Sequence, residues 1–125
     1  MLLSILLAAA AAQGGCANAT TQSAMNQCAQ AALQRADAEM TREWQASYAR
    51  MKRRDAADTS PGGGFGYAAA ALNSQRAWLK FRDAQCVLEG GKYAGGSMQP
   101  MVRANCLERL TTERAKQLRD LRREH

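Results

Sequence analysis

Four cysteines, Cys16, Cys28, Cys86 and Cys106, are the residues of this 125-residue chain whose chemistry is easiest to name. Zinc binding would call for close pairs of the Cys-x-x-Cys kind, and these four are too scattered for that. A thiolate nucleophile needs a neighbouring base, but the one histidine is His125, at a helix end prone to fraying. Glycosidase-type acid–base chemistry needs two carboxylates held at a set separation, and nothing in the spacing of the 11 acidic residues singles out such a pair. The glycines at 62–64 are not a phosphate-binding loop, because no strand precedes them and no Gly-Lys-Ser/Thr follows. The residue chemistry therefore implies no enzyme, no cofactor and no metal. An even cysteine count in an oxidising compartment implies two disulfides.

The first twelve residues argue for that compartment. Met1 to Ala12 reads MLLSILLAAAAA, well short of the roughly 20 apolar residues a membrane span requires. The run fits the apolar region of a secretory signal ending in small residues. The expected organisation is a signal segment over 1–12 and a single helical domain over 13–125, periplasmic or secreted. The segment lacks the Lys or Arg that usually precedes such a run. A competing reading makes Cys16 an acylated first residue after Gly14-Gly15, although Gln13 stands where lipoprotein processing prefers a Leu-like side chain. Export also removes nucleic acid as an expected partner.

The chain carries a formal net charge of +6. Much of it falls in two runs, Lys52-Arg53-Arg54 and Arg119/Arg122/Arg123, where cations complement the negative ends of helix dipoles. An alternative use is a basic surface of Lys116, Arg119, Arg122 and Arg123 for an anionic envelope polymer or lipid head groups. Local acidic patches would come from Asp55 and Asp58, or from Asp83 and Glu89.

These residues must be positioned by helices, because apolar residues recur every three or four positions and no strand-like alternation occurs. The first helix is expected from about Thr21 to Arg54, with Met25, Cys28, Ala32, Ala36, Met40, Trp44, Ser47/Tyr48 and Met51 on one face. Gln34, Glu39, Arg42, Glu43 and Arg50 would form its solvated face. Pro61 and the glycines of 62–66 break it into a flexible tip. The second helix runs from about Tyr67 to Glu89, with Ala71/Leu72, Gln75, Trp78/Leu79, Arg82 and Cys86 inward and Gly90-Gly91 as its stop. Ser97 would cap a third helix from about Met98 to Arg122, with the stripe Val102, Cys106, Leu110, Leu118 and Leu121.

The expected fold is all-α: a three-helix antiparallel bundle, a long helical hairpin plus a third helix, cross-linked by two disulfides at the end opposite the tip. Three pairings are open to four cysteines. The arrangement leans toward Cys16–Cys86 with Cys28–Cys106. Gln75, Arg82 and Arg114 fall on inner faces, with Asp37 and Asp83 beside them. Because a buried charge must be paired, these five are expected to form a structural polar network. Trp44 and Trp78 are expected in the core. Tyr93, Gly95, Gly96, Ser97, Met98 and Met101 make a candidate contact patch.

Several stretches together resemble a known family. They are Ala36-Asp37-Ala38-Glu39-Met40, the block Gln75-Arg76-Ala77-Trp78-Leu79-Lys80-Phe81-Arg82-Asp83-Ala84-Gln85-Cys86, then Gly95-Gly96-Ser97 and Leu110-Thr111-Thr112-Glu113-Arg114. With the four cysteines, they make the chain similar to the LprI-type lysozyme-inhibitor domains from about Cys16 to Leu118. The resemblance implies a small exported helical protein and a non-enzymatic binding role. Its partner would be a protein, a lysozyme or another envelope hydrolase. Animal lysozymes are basic, so two like-charged molecules would have to meet.

Overall fold

The computed structural model describes residues 16–125; the expected signal over 1–12 lies outside them. Three helices form the described chain: α1 (Gln22–Ala57), α2 (Tyr67–Gly90) and α3 (Gln99–Glu124), with a 3-10 turn at Gly91–Tyr93. Helix α1 starts where the Thr21 hydroxyl accepts the Ala24 N–H at 3.2 Å. It contains neither glycine nor proline and so continues unbroken to Ala57. Asp55, in its last turns, accepts the N–H groups of Tyr67 (2.7 Å) and Ala68 (2.9 Å). The carboxylate thus caps α2, whose own N-cap residue, Gly66, has no side chain to do so.

Between those helices the tip is a defined turn. Asp58 accepts the Ser60 N–H at 2.9 Å. Gly64 adopts φ +75°, and a Cβ there would lie 2.2 Å from an Asp58 carboxylate oxygen, so only glycine fits.

The three helices pack as the expected bundle. Helix α1 makes its most extensive contact with α3, and α2 lies on the pair. Hydrogen bonds join Asn26 to Ser97, Ser47 to Leu118 and Arg54 to His125, so α1 and α3 run parallel. Small buried residues explain this closeness: Ala29, Ala36 and Ser47 from α1, Ala104, Thr111 and Ala115 from α3. The α3 face is accordingly rotated from the expected stripe. Leu107, Thr111 and Ala115 are buried, whereas Val102, Leu110 and Leu121 sit at the margin. The tryptophans are also displaced from expectation. Trp44 and Trp78 are partly buried and pack against the cluster of Met40, Ala115 and Leu118, because helices brought together by alanines leave no room for an indole between them.

The cysteine pairing differs from the one the sequence favoured. The bridges are Cys16–Cys28 and Cys86–Cys106, with Cα separations of 5.4 and 5.5 Å. All four cysteines do gather at the end away from the tip, but helix rotation selects the partners. Cys86 is buried on the inner face of α2 against Cys106. Cys28 turns to the leader that carries Cys16. One bridge therefore pins the leader to α1, and the other ties α2 to α3. Loops of 12 and 20 residues closed in this way stabilise by about 3 kcal/mol each. No disulfide joins α1 to either other helix among the described residues.

Gly90 and Gly91 end α2 as expected, with right-handed backbone, and the chain continues into the 3-10 turn. The α3 start signal shifts. Met98 occupies the α3 N-cap in place of Ser97. The Ser97 carbonyl instead accepts from Asn26, and Gln99 reaches back to the Gly95 N–H at 3.1 Å.

Candidate functional site

The five residues expected to form a polar network separate into two layers. In the first, Arg82 donates to Asp37 (3.0 Å), to the Thr111 hydroxyl (3.2 Å) and to Asp83 (3.1 Å). In the second, the Gln75 side-chain amide donates to the Met40 sulfur (3.2 Å) and its carbonyl accepts from Arg114 (3.0 Å). Arg114 also donates to Ser74 and Gln117, and burial pushes its pKa down. The Trp78 ring lies between the two layers, 5.3 Å from the Arg82 guanidinium and 5.7 Å from that of Arg114. Each charge is matched by a carboxylate or by several oxygens, so neither arginine points to a ligand.

A third polar layer was not anticipated. Arg119 donates to Glu39 at 2.7 Å. Arg122 donates to both the carboxylate and the carbonyl of Glu43, and to the Ser47 hydroxyl. The Arg122 hydrogen bond holds the Glu43 carboxyl below its usual range, and the bond to Glu39 holds Arg119 above its own. The C-terminal arginines proposed as a basic surface are therefore largely committed to α1. The signal was in the sequence: Glu39 and Glu43 lie four apart, as Arg119 and Arg122 lie three apart, so each pair shares a helix face.

The expected acidic patches are likewise engaged. Asp55 caps α2, Asp58 holds the tip, and Asp83 pairs with Arg82. Glu89 pairs with Arg109 at 2.9 Å, and the hydrogen bonds from Arg109 and Gln85 lower its pKa.

The outer face of α2 presents uncommitted apolar side chains. Phe81, Val87 and Leu88 are 56, 61 and 72% exposed. With the exposed Ala77 and Ala84, Phe81 and Leu88 follow a 4-3-4 spacing along the outer face of α2. That face is opposite Gln75, Arg82 and Cys86. The spacing is legible in the sequence once the inner face is assigned. The stripe ends beside the loop expected as a contact patch. There Tyr93, Gly96, Ser97 and Met98 surround, with Lys92 and Ala94, a shallow depression of about 380 Å³. Gly95 forms the left-handed turn behind it, at φ +79°. Met101 is not part of it: its sulfur faces Gln22, and its side chain lines a hollow beside Cys16 and Cys28. Among the described residues no cluster of His, Cys, Asp and Glu could hold a metal, and no helix is long and apolar enough to cross a membrane.

Comparison with known proteins bears on this arrangement. The family model described as lysozyme inhibitor LprI matches residues 15–118. The chain belongs to the LprI family. A relative from Rhizobium meliloti (strain 1021), named Uncharacterized protein R02472, is 36% identical over 107 residues, covering 85% of this chain and 77% of its own. No solved structure matches. The LprI match spans α1, α2, both disulfides and α3 as far as Leu118. It therefore takes in the first two polar layers, the outer face of α2 and the loop after it, and ends before Arg119 and Arg122.

Proposed function

We propose that the protein is an exported, non-enzymatic inhibitor of a lysozyme-type hydrolase, and that it docks through the outer face of α2 and the Tyr93–Met98 loop. The observation that carries this is the exposed Phe81 and Leu88 stripe, flanked by exposed Val87, on a chain that belongs to an inhibitor family. Large apolar side chains that cluster on a surface mark a site of association. The disulfide between Cys86 and Cys106 lies beneath that end of α2, so little order is lost on binding. Two disulfides agree with passage through an oxidising compartment.

Charge modulates this contact. The +6 chain meets a basic enzyme without an uncommitted acidic patch at Asp83 or Glu89. Repulsion then opposes an apolar contact, and salt relieves it. The test is a cell-wall turbidity assay with a basic lysozyme and the oxidised protein in molar excess. Inhibition is expected to be weak near 0.01 M salt, where the Debye length is about 30 Å, and stronger near 0.15 M, where it is about 8 Å. Phe81→Asp and Leu88→Asp are expected to abolish inhibition while leaving helix content intact. Failure to inhibit at either ionic strength, or full inhibition by both variants, overturns the reading.

A further inference from the structure

The positive charge that the bundle does not consume lies along the exposed flank of α1, beside its contact with α3. Arg35, Arg42 and Arg53 are separated by 7 and 11 residues, close to two and three whole turns, so they fall on one line along the helix, with Arg50 one turn before Arg53. The row spans about 27 Å at 1.5 Å per residue. All four side chains are exposed. None is paired with a carboxylate among the described residues; Glu39, one turn from Arg35 and Arg42, is held by Arg119, and Glu43 by Arg122. At the tip end the row opens onto a shallow depression of about 300 Å³ lined by Arg50, Arg53, Arg54 and His125. There the Arg54 guanidinium is fixed by His125 and by the Tyr67 ring, 4.2 Å away.

What flanks the row narrows the ligand. Its neighbours on the same face are Ala31, Ala38, Ala46 and Ala49, with Glu39 at the edge, its carboxylate bound to Arg119. A helix that lies on a bilayer needs large apolar side chains to insert, and there are none here. Nucleobases need aromatic platforms, whereas Trp44 and Tyr48 stack on each other, 5.1 Å apart, on another face of the helix. A protein partner would be anchored by aromatic or other large side chains, which this face also lacks. A single file of guanidinium groups with small residues between them suits a chain that presents anionic groups one after another, each able to take a two-pronged hydrogen bond.

We propose that the outer face of α1 is a track for a linear anionic polysaccharide, with Arg35, Arg42, Arg50 and Arg53 as its anion contacts. The track is separate from the apolar face of α2, and either site can fail without the other.

The test is titration of the purified protein with dextran sulfate and with polygalacturonate, with uncharged dextran as control, at 50 and 200 mM salt. Both polyanions are expected to bind, with affinity falling steeply with salt as about three to four counterion-releasing contacts would require. The variant R35Q/R42Q/R50Q/R53Q is expected to lose more than about tenfold in affinity at 50 mM salt. R76Q/K80Q/R103Q/K116Q removes the same charge elsewhere and is expected to stay within about twofold. All eight positions are exposed, and helical circular dichroism verifies that both variants fold. Equal losses in the two variants would reduce the effect to net charge and overturn the track. Tighter binding to anionic vesicles or single-stranded DNA than to either polysaccharide would also overturn it, as would no polysaccharide binding at all.

Discussion

On the side of α1 that meets α3, Glu39 and Glu43 engage Arg119 and Arg122. On the side that meets solvent, Arg35, Arg42, Arg50 and Arg53 engage no carboxylate among the described residues. The residue type is the same, but the two sets do different work. The inner set, with Arg82 and Arg114, stands in for a thick apolar core. The helices approach on alanine, serine and threonine, so much of what fixes their register is a hydrogen bond between charged or polar groups rather than interlocked apolar side chains. The outer set contributes nothing to that register and carries the net charge instead. Counting cations in the sequence cannot separate the two sets; placing the carboxylates can.

Substitutions that strike the inner set should cost most. Trp78→Ala heads the series, because the indole covers both Arg82 and Arg114 and packs on Met40, Ala115 and Leu118. A fully buried tryptophan costs about 3–5 kcal/mol to truncate, and this partly buried one is expected to cost about 3. Denaturant melts measure it, and a loss below about 1 kcal/mol would mean that the ring shields neither layer.

Arg82→Met follows, at about 2 kcal/mol. The Arg82 side chain is only 14% exposed, but Asp37 is 45% exposed, so water recovers part of the stranded carboxylate. Inhibition by the folded fraction should be unchanged. A variant that is stable yet no longer inhibits would move Arg82 from scaffold to contact surface.

These two cases show what could be read without coordinates. Helix number, the all-α class, the tip and the inner positions of Gln75, Arg82 and Cys86 follow from periodicity and from residues that cannot continue a helix. Rotation about each helix axis does not follow, because a shift of one residue moves a side chain by about 100° on a 3.6-residue helix. That is why the disulfide partners, the α3 stripe and the targets of Arg119 and Arg122 came out differently. The outer face of α2 is obscured for another reason: α2 carries apolar residues on both faces, so periodicity alone does not mark Phe81 and Leu88, seven apart, as exposed.

Acid should dissolve the inner set and spare the outer one. The Glu43 carboxyl is lowered below its ordinary value, chiefly by the Arg122 hydrogen bond. A carboxylate depressed by folding contributes stability that is whole above its unfolded pKa, about 4.3, and is lost as pH falls through the folded value. Urea midpoints measured downward from pH 6 should therefore fall below about pH 4.5, and Glu43→Gln should flatten that slope. Arg122→Met should remove about 1 kcal/mol at neutral pH, and a slope that stays intact in either variant would assign the acid sensitivity to other carboxylates.

The smallest effect is expected from the outer row. Replacing Arg35, Arg42, Arg50 and Arg53 together with glutamine removes four charges from a +6 chain and breaks no ion pair described here. Exposed positions of this kind shift stability by less than about 0.5 kcal/mol each. Glutamine and arginine have nearly equal helix propensity, so the backbone is indifferent to the exchange. Relief of repulsion among like charges along one helix face acts in the favourable direction, most strongly at low salt. The expected outcome is a melt superimposable on the parent at 0.15 M salt and marginally more stable at 0.01 M. A loss above about 2 kcal/mol would mean that the row is tied into the fold after all. The contrast between the two sides of α1 would then collapse, and with it the case for a free track on the outer face.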